Sequence, residues 1–190
     1  MNPKLAYSLG AFLVVTCFAQ TLVERTFLMR AETTTVDPGT GMTRTCVLVY
    51  PDGKYRMERN FRGMTGSSSD ISAKVFLDTL PEADVKALGA ILEDEKFVAI
   101  KTGEMSQDKM GKDMDTLLVS IPREHAMQNI AFNNAAERKP FEKDLKPFLN
   151  FFQKLQKRKA PVAKDEKSNN CEPPPVMYGS TAPASKEDSK

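Results

Sequence analysis

The segment Thr43–Phe61 constrains the fold more than any other part of this chain, because it has the pattern of a β-hairpin. Two runs rich in β-forming residues flank the turn Pro51-Asp52-Gly53. Proline presets φ at the first corner, aspartate can accept a hydrogen bond from nearby backbone, and glycine takes positive φ without steric cost. The return strand alternates, so one face should be buried and the other solvated. The side chains predicted for the buried face are Tyr55, Met57 and Phe61, and those for the solvated face are Arg56, Glu58 and Asn60.

The other periodic segments complete a single α+β domain over residues 24–159. Alternating and β-branched stretches predict further strands, and apolar side chains at helical spacing predict two helices. Strands that come in runs, rather than in strict alternation with helices, argue against a doubly wound parallel fold. We expect a mainly antiparallel sheet of about five to six strands with two helices packed on one face. The predicted strands outside the hairpin are 27–36, 73–77, 116–121 and 128–132, and the predicted helices are 81–94 and 147–157.

Residues 1–19 have the layout of an export signal. Lys4 precedes an apolar run from Leu5 to Ala19, and Cys17 and Ala19 occupy the small-residue positions of a cleavage site after residue 19. The run is shorter than the roughly 20 residues that span a bilayer. Two alternatives stay open, an uncleaved anchor helix and a lipid attached through Cys17. The leading prediction is a signal peptide and an exported protein, periplasmic or secreted, with no stable membrane span after cleavage.

Cleavage after residue 19 would leave Cys46, in the hairpin, and Cys171 as the cysteines of the exported form. Two such cysteines often pair in an oxidising compartment. The alternative is that Cys46 is a small buried hydrophobe and Cys171 is a free thiol, and the sequence leaves both open. Cys171 falls within residues 160–190, a stretch rich in proline, lysine and serine with few apolar side chains. Such a composition predicts a disordered tail.

The sequence gives little indication of catalysis. Its single histidine, His125, lies in a predicted turn, and the chain has no nucleophile elbow, phosphate loop, dinucleotide fingerprint or zinc-protease motif. We expect no catalytic residue and no cofactor. The weak metal candidates are Asp108, Asp113 and Asp115, because several oxygens from one polar loop suit calcium. Their spacing does not match the calcium loop of EF-hands and neighbouring lysines offset their charge, so the interpretation is a solvated loop.

The net charge and the composition of two loops indicate which kinds of partner the chain binds. The formal net charge of +2 creates no strong field that would attract nucleic acid, so no nucleic-acid partner is expected. Two long polar loops, 62–72 and 103–115, contain four of the ten methionines. Methionine thioethers form adaptable contact surfaces. The two loops are therefore the predicted contact surface for a partner, either another exported protein or a protease.

Three features follow the hairpin in order: the stretch Thr79–Leu88, the stretch Glu93–Phe97, and a strand pair with a closing apolar helix. Over residues 43–157 this order resembles small exported bacterial α+β domains of unknown function. The general layout is similar to that of the emfourin-type inhibitors of thermolysin-like metalloproteases. The resemblance implies the fold and an inhibitor-like role, and it transfers no functional residue. The predicted function is an exported non-catalytic binding module. The alternatives are a cryptic metal-dependent hydrolase and a lipid-anchored structural envelope protein.

Overall fold

The computed structural model describes residues 26–64, 71–102 and 114–176. The predicted signal peptide, residues 1–19, lies outside the described residues. Within them the chain forms strands and helices in the proportions of an α+β fold, which confirms the predicted fold class. The strands are β1 Met29–Asp37, β2 Gly41–Val49, β3 Lys54–Gly63, β4 Ile71–Thr79, β5 Asp115–Pro122 and β6 Met127–Phe132. The helices are α1 Glu82–Leu92, α2 Glu95–Val98, α3 Ala135–Arg138 and α4 Glu142–Lys157.

The six strands form one antiparallel sheet in the order β4-β3-β2-β1-β5-β6. The first four strands follow one another as a meander, and β5 then returns beside β1. The β2–β3 turn has the predicted chemistry, with Gly53 at a φ of 82° and the Lys54 N–H donating to Asp52 Oδ1 at 3.0 Å. This sheet order places β1 and β2 at the centre, where both have neighbours on either side.

Helices α1 and α4 pack on one face of the sheet and enclose the main core. Their apolar side chains recur at helical spacing, so that Leu88 and Leu92 of α1 and Phe148 of α4 are almost fully buried. The rings of Phe97 and Phe148 lie 5.4 Å apart between centroids. The sheet contributes Met29, Ala31, Val47, Val49, Tyr55, Met57, Leu117, Val119, Ile121, Ile130 and Phe132 to this core.

The last helix begins earlier than predicted. The sequence predicts a start at Pro147, whereas α4 begins at Glu142 and contains Pro147 in its interior. An interior proline removes one backbone hydrogen bond and costs about 3 kcal/mol in an exposed helix. Here Leu145 and Phe148, on either side of it, are fully buried. The helical conformation places these two side chains in the core, and their burial offsets the backbone hydrogen bond that Pro147 cannot make.

The loop predicted at 62–72 is shorter than expected, because β3 and β4 continue to pair as far as Arg62 and Ile71. Of the connection that remains, residues 65–70 lie outside the described residues. No helix in the ranges that the structure describes is long and apolar enough to cross a membrane.

The structure also corrects the predicted end of the domain at residue 159. Residues 160–176 do not leave the domain: Val162 pairs with Phe76 of β4, and Cys171 is fully buried. Specific contacts with the sheet, rather than apolar composition, offset the entropy of ordering this segment. The rest of the predicted tail, residues 177–190, lies outside the described residues.

Candidate functional site

A segment of the C-terminal region crosses the sheet face that the helices leave uncovered. We call residues 162–173 the strap. It starts at the outer edge of β4, where Val162 pairs with Phe76. It then passes over β3, β2 and β1, to which hydrogen bonds and a disulfide attach it. The alternation of residues in the hairpin predicts that this face of the sheet is solvated. The centre of the face is buried instead, because the strap covers it.

Glu58, in β3, holds the middle of the strap. Its side chain is fully buried. Oε1 accepts hydrogen bonds from Arg56 Nε at 2.6 Å and from the Asn169 N–H at 3.1 Å. Oε2 accepts from the Ser168 hydroxyl and, at 3.0 Å, from the Asn170 N–H. Both oxygens of this buried carboxylate are therefore engaged by donors, and the prediction that Glu58 is solvated is wrong.

The surroundings of Glu58 keep it ionised. Burial raises the pKa of a carboxyl group, because it penalises the charged form. The hydrogen bonds from Ser168, Arg56 and the strap backbone outweigh burial and leave the pKa of Glu58 below its ordinary value. The ionised form is the one that accepts from four donors, so the attached strap and the charge on Glu58 stabilise each other.

A second charged group lies beside the first on β1 and β2. Arg44 donates to Glu32 through Nε at 2.6 Å and Nη2 at 2.7 Å, and Arg30 donates to the same carboxylate. Both arginines also reach the strap: Arg30 Nε donates to the Cys171 carbonyl at 3.0 Å, and Arg44 Nη1 donates to Asn170 Oδ1 at 2.9 Å. Burial raises the pKa of Glu32, but the two arginines outweigh it and lower that pKa overall.

The end of the strap is joined covalently to β2. Cys46 and Cys171 form a disulfide, with Cα atoms 6.0 Å apart. Of the two alternatives that the sequence leaves open, a pair or two separate thiols, the structure has the pair. Both cysteines are buried in a small cluster with Phe27 and Leu48. The bridge spans 125 residues, and closing a loop of that size constrains the unfolded chain by about 4 to 5 kcal/mol if the effect is entropic.

The strap backbone beside the disulfide is locally strained. Asn170 has a φ of 59° and Cys171 a φ of 49°. This left-handed conformation costs roughly 1 to 2 kcal/mol for a residue with a side chain, although asparagine tolerates it better than most. The hydrogen bonds to Glu58 and Arg30 hold the segment in this conformation.

Of the three residues predicted as metal candidates, one lies in the part of the chain that the structure describes. Asp115 begins β5, where its carboxylate contacts Arg138 and its carbonyl accepts from Arg138 Nη1 at 2.8 Å. Asp108 and Asp113 lie outside the described residues, so the solvated loop and its three metal candidates stay predictions. His125 is exposed in the β5–β6 turn, with Nε2 3.7 Å from the Glu124 carboxylate.

A different group of potential ligands does come together in the part of the chain that the structure describes. Cys46, Glu58 and Cys171 each offer one ligand atom within 4.8 Å of the other two. The sequence predicts the two cysteines as a candidate pair and places Glu58 on the solvated face. The missed signal is the register of the hairpin, because Cys46 lies directly opposite Glu58. A segment bonded to Cys46 therefore comes close to Glu58.

The β3–β4 hairpin provides a second feature, a group of exposed apolar side chains. Met64 is 62% exposed, Ile71 is 57% exposed and Phe61 is 36% exposed. Arg62 pairs with Ile71 across the two strands, which places the three hydrophobic residues at the same end of the hairpin. We call Phe61, Met64 and Ile71 the hairpin tip.

The hairpin tip lies at the end of the sheet where the predicted contact loops emerge. Gly63 of β3 pairs with Gly41 at the β1–β2 turn, and Asp115, the first residue of β5, pairs with Thr35. Both predicted loops, 62–72 and 103–115, therefore adjoin this end. Their residues 65–70 and 103–113 lie outside the described residues, so the loops themselves stay predictions.

Comparison with known proteins adds no relative. No protein-family model matches this chain, and no curated protein matches it by sequence.

Proposed function

We propose that the chain is an exported, non-catalytic binding module that contacts a partner protein through the hairpin tip. The observation that carries this proposal is the grouping of exposed apolar side chains. Six large hydrophobic residues are exposed in the described ranges, and three of them form the hairpin tip. Grouped apolar side chains at the surface are typical of interaction sites, whereas single ones are ordinary.

The arrangement of the hairpin tip supports a partner with a cleft. Successive residues of a strand point to opposite faces. Phe61 shares its face with the buried Tyr55 and Met57, whereas Ile71, opposite Arg62, projects from the other face. A partner that covers both side chains must surround the hairpin from two sides. An inhibitor that enters the cleft of an enzyme would do so, in keeping with the inhibitor-like layout suggested by the sequence.

The disulfide supports the exported location. Structural disulfides persist in oxidising compartments and are rare in the cytosol. Cys46 and Cys171 are bridged, and both are buried. The predicted signal peptide and the bridge thus favour the same compartment.

Capture from the exported-protein fraction of the producing cells tests the proposal. The full chain, the double variant Met64→Lys/Ile71→Lys and the control Val98→Lys are immobilised separately. Val98 is 42% exposed in α2, on the opposite side of the fold next to Gln128 of β6. We expect the wild type and the control to retain the same partner and the double variant to lose at least about nine-tenths of it, because a lysine in a desolvated contact costs more than 1.4 kcal/mol.

Two outcomes contradict the proposal: equal retention by all three proteins, or no retained partner with the wild type. Inhibition of a thermolysin-like metalloprotease, measured with the same three proteins, tests the inhibitor-like role separately. The alternatives of a metal-dependent hydrolase and of an envelope protein lipidated on Cys17 stay predictions. The intact mass of the exported protein tests the second of them directly.

A further inference from the structure

The ligand group on the open face is built from three separate parts of the chain. Cys46 comes from β2, Glu58 from β3 and Cys171 from the strap, and each is 0 to 1% exposed. Their ligand atoms all lie within 4.8 Å of one another. In the structure the two sulfurs are bonded to each other, so the group is available to a metal only after the disulfide is reduced.

We infer that the dithiol form of this chain binds one zinc ion through Cys46, Glu58 and Cys171, with water in the fourth position. Thiolate and carboxylate are both zinc ligands, with bonds of about 2.3 Å to sulfur and about 2.0 to 2.2 Å to oxygen. A tetrahedral site with these bond lengths needs donor separations of roughly 3.3 to 3.8 Å. Once the sulfur–sulfur bond is broken, the three donors reach these separations by small side-chain movements.

The charges around the group suit the zinc complex. Two thiolates and one carboxylate around a zinc ion leave one net negative charge. Arg56 Nε, 2.6 Å from Glu58 Oε1, lies close enough to compensate it. The guanidinium groups of Arg30 and Arg44, which contact strap residues Cys171 and Asn170, add positive charge on the same face of the sheet. Glu58 can release an oxygen lone pair to the metal, because the Ser168 hydroxyl that donates to Oε2 can rotate.

The chemistry requires a thiol reductant. A dithiol reductant transfers two electrons to the Cys46–Cys171 bond and becomes a disulfide, and the protein gains two thiols. Zinc then binds the two sulfurs and releases their two protons to solvent. The consequence for the fold is that the metal replaces the covalent bond, and the strap stays attached to the sheet in the reduced protein.

Zinc affinity of the full chain, reduced under anaerobic conditions, tests the inference by competition with a chromogenic chelator. We expect one zinc ion per chain, no binding to the oxidised protein or to Cys171→Ser, and binding at least about tenfold weaker in Glu58→Gln. The matched control is Glu166→Gln, because Glu166 also contacts Arg56 but is exposed. Equal affinity in Glu58→Gln and the wild type, or equal binding by the oxidised protein, would overturn the inference.

Two further readouts do not depend on the folding of a variant. Cobalt(II) added to the reduced wild type should give the intense absorption of a tetrahedral site with thiolate charge transfer, and a weak octahedral spectrum would refute the site. Zinc should also slow tryptic cleavage of the reduced wild type after Lys164 and Lys167, which are exposed on the strap. Unchanged cleavage would show that the metal does not attach the strap.

Discussion

Glu58→Gln should destabilise the folded protein, because no orientation of the amide satisfies the strap. Each oxygen of the native carboxylate accepts from a strap N–H, Oε1 from Asn169 and Oε2 from Asn170. Glutamine has one acceptor oxygen and one NH2 group. Whichever way the amide is turned, its NH2 group faces one of these two N–H donors. One backbone donor therefore loses its acceptor, and Arg56 loses a charged partner.

The magnitude follows from these two losses. An unsatisfied buried donor costs about 1 to 3 kcal/mol, and a charge-assisted hydrogen bond is stronger than a neutral one by about 1 kcal/mol. We expect a decrease of about 3 kcal/mol in the free energy of unfolding, at the lower limit for removal of one partner of a buried ion pair. For a chain of this size the decrease corresponds to roughly 6 to 12 °C in Tm. Urea unfolding of the disulfide-intact protein, followed by far-UV circular dichroism because the chain has no tryptophan, measures it.

Glu166→Gln is the matched control for this prediction. Glu166 Oε2 also accepts from Arg56, at 2.8 Å, but its side chain is 47% exposed. Exposed ion pairs contribute between 0 and about 1 kcal/mol, so the control should lose less than about 1 kcal/mol. If Glu58→Gln is no less stable than Glu166→Gln, the strap is not held by the buried carboxylate and the reasoning is refuted.

Three other predictions concern stability. The pKa values of Glu32 and Glu58 in the folded protein are lowered from an ordinary value of 4.5. Each carboxylate therefore stabilises the folded protein above that pH, and this stabilisation is lost as the pH falls through the lowered pKa. Urea titrations at a series of acidic pH values should show this loss. If the free energy of unfolding of Glu58→Gln falls with pH as steeply as that of the wild type, the loss does not come from Glu58. Gly41→Ala should destabilise by about 2 kcal/mol or more, because the residue has a φ of 134° and the new Cβ would lie 2.3 Å from the Arg62 carbonyl oxygen. Gly89→Ala, whose new Cβ would meet no heavy atom within 4 Å beyond its chain neighbours and its own helix backbone, should instead stabilise α1 by about 0.5 to 1 kcal/mol, and thermal unfolding compares the two.

The β2–β3 hairpin could be predicted from the sequence because its information is local. Pro51, Asp52 and Gly53 fix the turn, and alternation in the return strand fixes which side chains face the core. Tyr55 and Met57 are buried as predicted. The position of β5 beside β1 could not be predicted in this way. It depends on which edge of the meander offers the better apolar face, and no single segment contains that information.

The strap could not be predicted because its ordering does not come from apolar composition. Residues 160–176 contain few hydrophobic side chains, and such a segment remains disordered unless other contacts offset its entropy. Here the contacts are a buried carboxylate, three arginines and a disulfide. The number and positions of the cysteines indicate Cys46 and Cys171 as a candidate pair. Alternation placed Glu58 on the uncovered face correctly, but alternation cannot show whether a later part of the chain covers that face.

The two faces of the sheet therefore respond differently to change. The helix-covered core consists of apolar side chains, which tolerate substitutions of similar volume. On the strap-covered face, charges and hydrogen bonds surround a small apolar cluster, and each member of the polar network needs its partner. Acid protonates Glu58 and reduction breaks the bond to Cys46, and neither change removes apolar contacts of α1 and α4. The strap is thus the part of this fold whose attachment depends on pH and redox state, whereas the helical layer depends on packing. Because acid acts on Glu58 and reduction acts on Cys46, which lie opposite each other and both hold the strap, their effects on the strap should not be additive.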